Sequence, residues 1–579
     1  MRAKPDAGRG RDRRVRTCLV AATFAVAGIA VACEPPPQLA ISSNPALFPD
    51  FDPAVTDYVS RCSASTPVSV SVNAPSDTIV SVNQNQGASG TFTATVHRDI
   101  GQRFTIVVGR AGRPTQTYNV RCIPFDFPQW TAQRTGTPQA DSYVTVFPVD
   151  GFLGTNYPVI LDRNGVPLWW APRSRTFFTT VLSNGNVAWT LLGATGGAEE
   201  HRLDGSLVRT INTVSAPSDF HDLITLSNGD YVMATAVQRS GVDLSSWGGP
   251  VNATVIDHVF EEITPQGTVA WSWDTLDHIP VTETTAHWRA DSANQHSPYD
   301  PFHYNSVEST GDGFIISFRH LDAVYKIDRA SGAIVWKLGG TQRNESLTVT
   351  GDPVFDAGGS FSGQHDARLL PGGAVNLHDN GSGQGRPPRA VTYQIDTTDH
   401  TATLLRDLRD PLVTTSACCG SARVLPTGNY VMGWGGSRTL TEMTPAGNRV
   451  FLLQLQSGTF YRALPTPPGV LSASALRAGM DAQYGPNVDI SPSSGAPGAA
   501  LTISGMGFAA GETVNVSYKT GLSSPRKVLL CSVTATSIRT FSCSTQVPPE
   551  PTAGASGDHT IVTEGATSLI RLKTTFARL

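Results

Sequence analysis

Three histidines stand at one distance from a turn glycine. His221 precedes Gly229, His303 precedes Gly311 and His365 precedes Gly373, each by eight residues. Imidazole titrates near neutrality, so such a side chain can be a nucleophile, a general acid or base, or a metal ligand. A lone histidine in a β-rich chain is more often structural; three in one register of a repeat point to function. The repeat is visible in Leu182-Ser183-Asn184-Gly185, Leu226-Ser227-Asn228-Gly229, Gly311-Asp312-Gly313, Leu370-Pro371-Gly372-Gly373 and Leu425-Pro426-Thr427-Gly428, each closing an apolar run with a polar turn. Phe177 and Gly420 hold the register position in the copies without histidine. Equivalent positions on inner strands would converge on one axis. Side chains alternate along a strand, so Asn305 should share a face with His303, while Asp222 and Asp366 point away from the histidines before them.

A second repeat marks the elements that carry these positions. Asp162-Arg163-Asn164-Gly165 precedes Trp169, Leu203-Asp204-Gly205 precedes Val208, Thr264-Pro265-Gln266-Gly267 precedes Trp271, and Asp328 to Gly332 precede Trp336. Degenerate copies follow at Asp396-Thr397-Thr398-Asp399 and Thr444-Pro445-Ala446-Gly447. Strand–turn–strand content with a period of roughly 40–65 residues is the signature of propeller blades, none of which can bury its own faces alone. Six copies within residues 124–467 predict six blades. The fold class expected is therefore all-β: a six-bladed β-propeller flanked by two immunoglobulin-like β-sandwich modules.

The flanks are read from alternation and turns. In residues 38–123, Val68-Ser69-Val70-Ser71-Val72 and Phe104-Thr105-Ile106-Val107-Val108 are half-buried strands. Phe51-Asp52-Pro53-Ala54-Val55-Thr56-Asp57-Tyr58 and Tyr118-Asn119-Val120-Arg121-Cys122 resemble the two ends of a cadherin-like, immunoglobulin-type bacterial domain, in which Cys62 and Cys122 would tie the first and last strands. After a linker at 468–486, residues 487–579 open with Pro492-Ser493-Ser494-Gly495-Ala496-Pro497-Gly498 and Leu501 to Phe508. This is similar to IPT-like immunoglobulin domains that begin with a P-x-x-G turn and a GxGF strand end. Cys531 and Cys543 stand at a separation a hairpin could bridge.

The amino terminus reads as an address. Arg9, Arg11, Arg13, Arg14 and Arg16 precede the apolar run Cys18 to Cys33, which holds the A-x-A signal Ala30-Val31-Ala32. A signal peptide over 1–32 implies export to the periplasm, cell surface or medium. Cleavage there leaves Cys33 first in the mature chain, where a lipoprotein carries its acylated cysteine. A lipid on Cys33 would attach the chain to a membrane and leave six cysteines for three disulfides. Cys418 and Cys419 are adjacent, so a bond between them would be a vicinal disulfide.

The stretch Phe302-His303-Tyr304-Asn305-Ser306-Val307, then Ser317-Phe318-Arg319-His320, Val324-Tyr325-Lys326-Ile327-Asp328, Trp336-Lys337-Leu338-Gly339-Gly340, Gln364-His365-Asp366-Ala367-Arg368 and Asp379-Asn380-Gly381 resembles the arylsulfotransferase family over most of 150–470. The resemblance implies transfer of a sulfuryl group from an aryl sulfate to a phenol through a covalent sulfohistidine, without cofactor or nucleotide donor. Carried over position by position, His365 is the nucleophile; His303, Asn305 and Arg319 surround the sulfate; His221 in Phe220-His221-Asp222 is an acid/base. Tyr304 is a candidate for stacking the substrate ring, with a core role as its alternative.

Two other classes stay open at this point: a non-catalytic ligand-binding or adhesion propeller, and a metal site built from three convergent histidines. The 43 basic and 47 acidic residues nearly balance and form no basic face, which argues against nucleic acid as a partner. There is no G-x-x-x-x-G-K-[ST] loop for a nucleotide sulfate donor. His258, His278, His287, His296 and His400 lack the register and are assigned to surface or loop roles, while His320 and His378 lie inside motifs of the resemblance.

Overall fold

The computed structural model describes residues 38–579 except 64, 152, 173, 194–195, 295–296, 538 and 569, and the side chains of 291, 293 and 294. The leader reading of 1–32 and the lipid on Cys33 lie outside the described residues. The structure is all-β. Six antiparallel sheets follow one another through the middle of the chain. The first takes Ala463–Pro465 beside Ser142–Pro148, Asn156–Asp162 and Pro167–Trp170. The second runs Thr176–Val181, Val187–Leu191, Ala198–His201, Leu207–Ile211. The third comprises Ile224–Thr225, Tyr231–Ala234, Val259–Ile263 and Val269–Asp274, with the hairpin Val237–Val242/Ala253–Asp257 inserted. The fourth is Tyr304–Ser309, Gly313–Phe318, Ala323–Asp328, Ile334–Gly339. The fifth starts at His365–Leu369 and ends at Thr401–Leu408, to which Thr348–Thr350 adds in parallel.

The sixth sheet, Ser421–Val424 to Arg449–Leu455, receives Trp130–Arg134 as its last strand. Both ends of the middle region are thus exchanged: the first sheet takes its opening strand from residues 463–465, and the last takes its closing strand from 130–134. From the third sheet to the sixth each opening strand packs on the next, and that of the sixth packs on Ala463–Pro465.

The two sequence repeats have fixed places in this plan. The turns at 182–185, 226–229, 311–313, 370–373 and 425–428 join first to second strands; those at 162–165, 203–205, 264–267, 328–332, 396–399 and 444–447 join third to fourth. The first kind needs a left-handed residue, and Gly229 and Gly373 take φ of 90° and 82°. In the second kind, Asp162 Oδ1 accepts the N–H groups of Asn164 and Val166, an Asx turn. Trp169 and Trp336, which follow two of these turns, enter the core, and the Trp169 indole donates to Leu203 O at 2.7 Å; Val208 and Trp271 are half-buried.

Each flank consists of a three-stranded and a five-stranded sheet sharing one apolar core. In the first, Val68, Val70 and Val72 alternate into the core against Phe104, Ile106 and Val120. Cys62 and Cys122 are bonded, but Cys62 follows the strand Asp57–Ser60, which already pairs in parallel with the last strand; the opening strand is Ala40–Asn44. Cys531 and Cys543 are also bonded, across the two sheets of the second flank and not within one hairpin. The expected linker contains the helix Ala473–Tyr484, capped by Ser472 Oγ on Ala475 N–H at 3.1 Å. Its Leu476 and Met480 are buried, Asp481 pairs with Arg103 and Arg121, and Arg477 pairs with Asp57, so it fastens the first flank to the sheets.

Candidate functional site

The opening strands bring the register histidines to one place. The rings of His221 and His303 lie 5.2 Å apart, Tyr461 stands 5.9 Å from His221 and 6.4 Å from His365, and Phe177 packs 4.2 Å from Tyr461. Phe177, the register residue of the second sheet, therefore joins the cluster; Gly420, that of the sixth, lies against His378. His303 takes φ of 50°, the left-handed region, where the chain turns into the strand.

The three histidines differ in what holds Nδ1. His221 Nδ1 is 2.8 Å from Asp219 Oδ1, and His303 Nδ1 is 2.5 Å from Asp300 Oδ2. Each carboxylate also accepts its histidine's backbone N–H. His365 has no carboxylate: its Nδ1 donates to Gly363 O at 2.7 Å and to Asn380 Oδ1 at 3.0 Å. That pairing places the proton on Nδ1 and the lone pair on Nε2, which accepts the Cys419 N–H at 3.1 Å. His365 is 2% exposed. Burial above all, then the Arg319 charge, pushes its pKa well below the ordinary 6.5, so the ring is neutral near pH 7. Burial also lowers His303, with Asp300 opposing. Burial raises Asp219 and Asp300, yet both sit below the usual carboxylate range because histidine neighbours prevail.

Arg319 follows the second strand of the fourth sheet and lies over the Trp288 ring at 4.1 Å. It donates to His320 Nε2 at 3.0 Å and to Ala417 O at 3.2 Å. A cavity of about 610 Å³ opens beside it, lined by Trp288, Arg319, Asn380, Ser382, Arg386 and Ala417, among others. Asn305 is fully buried, and the strand register breaks around it, between Tyr304 and Ser306. Simple alternation therefore does not describe this position. Its Nδ2 donates to Gln364 O at 2.8 Å, next to His365, and its Oδ1 has no hydrogen-bond partner among the described residues. Gln364 donates to Ser317 Oγ, Phe318 O and Ala323 O, which pins the start of the fifth sheet to the fourth. Tyr304 is fully buried against Phe260 and His258, the placement of a core side chain and not of a surface for stacking a ligand.

Asp222 and Asp366 form a second tier. Asp222 accepts from Arg368 and Arg462 at 2.8 and 2.9 Å; Asp366 accepts from Arg368 and from both Nε and Nη2 of Arg423. Sequence reasoning passed over Asp219, Asp300, Trp288 and Tyr461, which hold or border the histidines. A carboxylate two or three residues before a register histidine was a legible signal for the first two. His258, expected at the surface, is buried with Nδ1 on Thr235 O. Among the described residues, Asp300, His303 and His320 offer metal-ligand atoms within 4.8 Å of one another. Both His320 nitrogens are engaged, by Asp300 O and Arg319, and that guanidinium opposes a cation there. Cys418 and Cys419 are bonded to each other beside the site.

Residues 200–456 match the family model described as arylsulfotransferase (ASST). No curated protein matches the chain. Among solved structures, a protein of unknown function from Bacteroides caccae is similar at 11% identity over 56% of this chain and 99% of that one, with a TM-score of 0.36. A streptogramin B lyase follows at 12% identity, 57% and 88% coverage, and a TM-score of 0.31. PorZ of Porphyromonas gingivalis covers 88% of this chain and 74% of its own at 10% identity and a TM-score of 0.30.

Proposed function

We propose that the six sheets form a six-bladed β-propeller whose axial site moves a sulfuryl group from an aryl sulfate to a phenol, through a sulfohistidine on His365. The two flanks are read as immunoglobulin-like modules, and the chain as exported, with a lipid on Cys33 as its tether. The observation that carries the chemistry is the contrast at Nδ1. A carboxylate holds Nδ1 of His221 and of His303, which suits them to proton transfer; carbonyl oxygens on Nδ1 of His365 leave the lone pair on Nε2, and burial with the Arg319 charge keeps that ring neutral. The match of residues 200–456 to the arylsulfotransferase model supports the same class of reaction.

In the first half-reaction, Nε2 of His365 attacks the sulfur. An N–S bond forms, the aryl O–S bond breaks, and its electron pair leaves on the phenolate oxygen, which takes a proton from His221. In the second half, His221 takes the proton of an incoming phenol, the phenol oxygen attacks the sulfur, and the N–S bond returns its pair to Nε2. Sulfuryl transfer resembles phosphoryl transfer in its loose transition state with charge on peripheral oxygens, so positioned donors do most of the work. Arg319 offers a planar fork for those oxygens, and the cavity beside it gives the ring room.

The test supplies a chromogenic aryl sulfate to the mature protein, with and without an added phenol and without nucleotide or metal. Acceptor-dependent release of coloured phenol, lost in His365→Ala, is expected. Folded protein that releases none over a range of donors would overturn the reading in favour of a binding propeller.

A further inference from the structure

We propose that the Cys418–Cys419 disulfide is a positioning element for His365, and that a dithiol reductant switches the site off by opening it. This rests on the reading of His365 as nucleophile. Ala417 and Cys419, on either side of Cys418, hold the machinery together. The Cys419 N–H meets His365 Nε2 at 3.1 Å. The Cys419 carbonyl accepts Asn380 Nδ2 at 2.9 Å, and Asn380 Oδ1 in turn receives His365 Nδ1. The Ala417 carbonyl accepts Arg319 Nη2 at 3.2 Å and Ser382 Oγ at 3.0 Å. Both nitrogens of the candidate nucleophile and the neighbouring cation are thereby set by one short segment.

The disulfide gives that segment its shape. Cys419 takes φ of 69°, a left-handed conformation that is costly for any residue with a side chain. The covalent ring across the 418–419 peptide limits its escape. Behind it, a Cβ on Gly420 would lie 2.4 Å from His378 Cδ2, so the segment has no room to slide that way. A dithiol supplies two electrons and two protons: its thiols become a disulfide, and the Cys418–Cys419 bond becomes two thiols. Cys418 is half-buried and Cys419 is 3% exposed, so attack on this pair falls on the Cys418 sulfur; Cys62 and Cys122 are fully buried, and the half-buried Cys531 of the second flank is told apart by the thiol map. Reduction frees Cys419 to leave the left-handed region and draw its N–H off Nε2.

The experiment treats the mature protein with dithiothreitol, maps the new thiols by mass spectrometry, and measures two readouts. One is carbethoxylation of His365 by diethyl pyrocarbonate, which needs no turnover; the other is aryl sulfate turnover. Thiols at Cys418 and Cys419 should accompany several-fold faster modification of His365. They should also accompany a fall in kcat of about 10²-fold with KM little changed, the order expected from a small misplacement of a reacting group, and reoxidation should reverse both. The double variant Cys418→Ser/Cys419→Ser should match the reduced protein while keeping its melting temperature near that of wild type. Reduced thiols with His365 reactivity unchanged would overturn the proposal, as would a double variant indistinguishable from oxidised wild type; resistance of the pair to the dithiol would overturn the switch. If even the oxidised protein turns over no aryl sulfate, the sulfotransferase reading fails and the modification readout still decides this one.

Discussion

The opening strands carry two tiers of polar side chains, one residue apart in sequence and opposite in character. His221 and His365 belong to a tier of imidazoles; Asp222 and Asp366, next in the chain, belong to a tier of buried ion pairs. In the ion tier, Asp222 and Asp366 are shared among Arg368, Arg423 and Arg462, and Asp366 is held far below the ordinary carboxylate range against burial by Arg423 first, then Arg368 and Arg462. In the histidine tier, Arg319 faces the cavity and His365 Nε2 has only a backbone N–H. A closed set of pairs fixes geometry, whereas Arg319 and Asn380, which line the cavity beside His365, are where a substrate can be met. The lower tier acts as the rigid footing of the upper one.

The sharpest break of this contrast is His365→Ala, expected to lower turnover by about 10³-fold or more while the protein stays folded, since removal of a nucleophile eliminates the covalent route. Arg319→Ala should cost about 10²–10³-fold in kcat, the range for one donor to developing charge. In the lower tier the loss falls on stability instead. Asp366→Ala takes from Arg423 its carboxylate and from Arg368 one of its partners, and should cost about 3–5 kcal/mol, read as a lower denaturation midpoint at unchanged slope. A comparable loss of activity without loss of stability in that variant would erase the distinction between the tiers.

The smallest effect is in pH. Burial lowers His320 to about 3 and His378 to about 4, from an ordinary 6.5. Between those values the unfolded chain binds protons that the folded one refuses, so stability should fall as pH drops below about 6.5 and on towards 4. The stabilisation from Asp366 has the opposite origin, being complete above the ordinary carboxylate value and lost only as pH falls below it. Melting curves from pH 7 to 4 should therefore shift less in His378→Gln than in wild type.

Much of this was legible in the sequence because repetition exposes it. Turn glycines at a constant distance from His221, His303 and His365 fixed where those residues sit, and the Trp-bearing turns marked third-to-fourth strand connections. What lay out of reach depends on contacts between distant segments. Tyr461 and Arg462 reach the centre only because residues 463–465 return to the first sheet. Trp288 comes from the helix Ala286–Asn294, outside any repeat. Asn305 sits where the strand register breaks, so alternation, applied one residue at a time, misplaces it. The helix at 473–484 escaped because its buried face answers to Trp170 and to the first flank, not to a repeat.

The central claim is that His365 carries the sulfuryl group, and the direct measurement is to mix the protein with an aryl sulfate in the absence of acceptor, quench at alkaline pH and map adducts by mass spectrometry. The expected result is a sulfuryl adduct on the peptide containing His365, formed in step with phenol release and discharged when a phenol is added. Phenol release with no adduct on His365, or with the adduct on His221 or His303 instead, would contradict it.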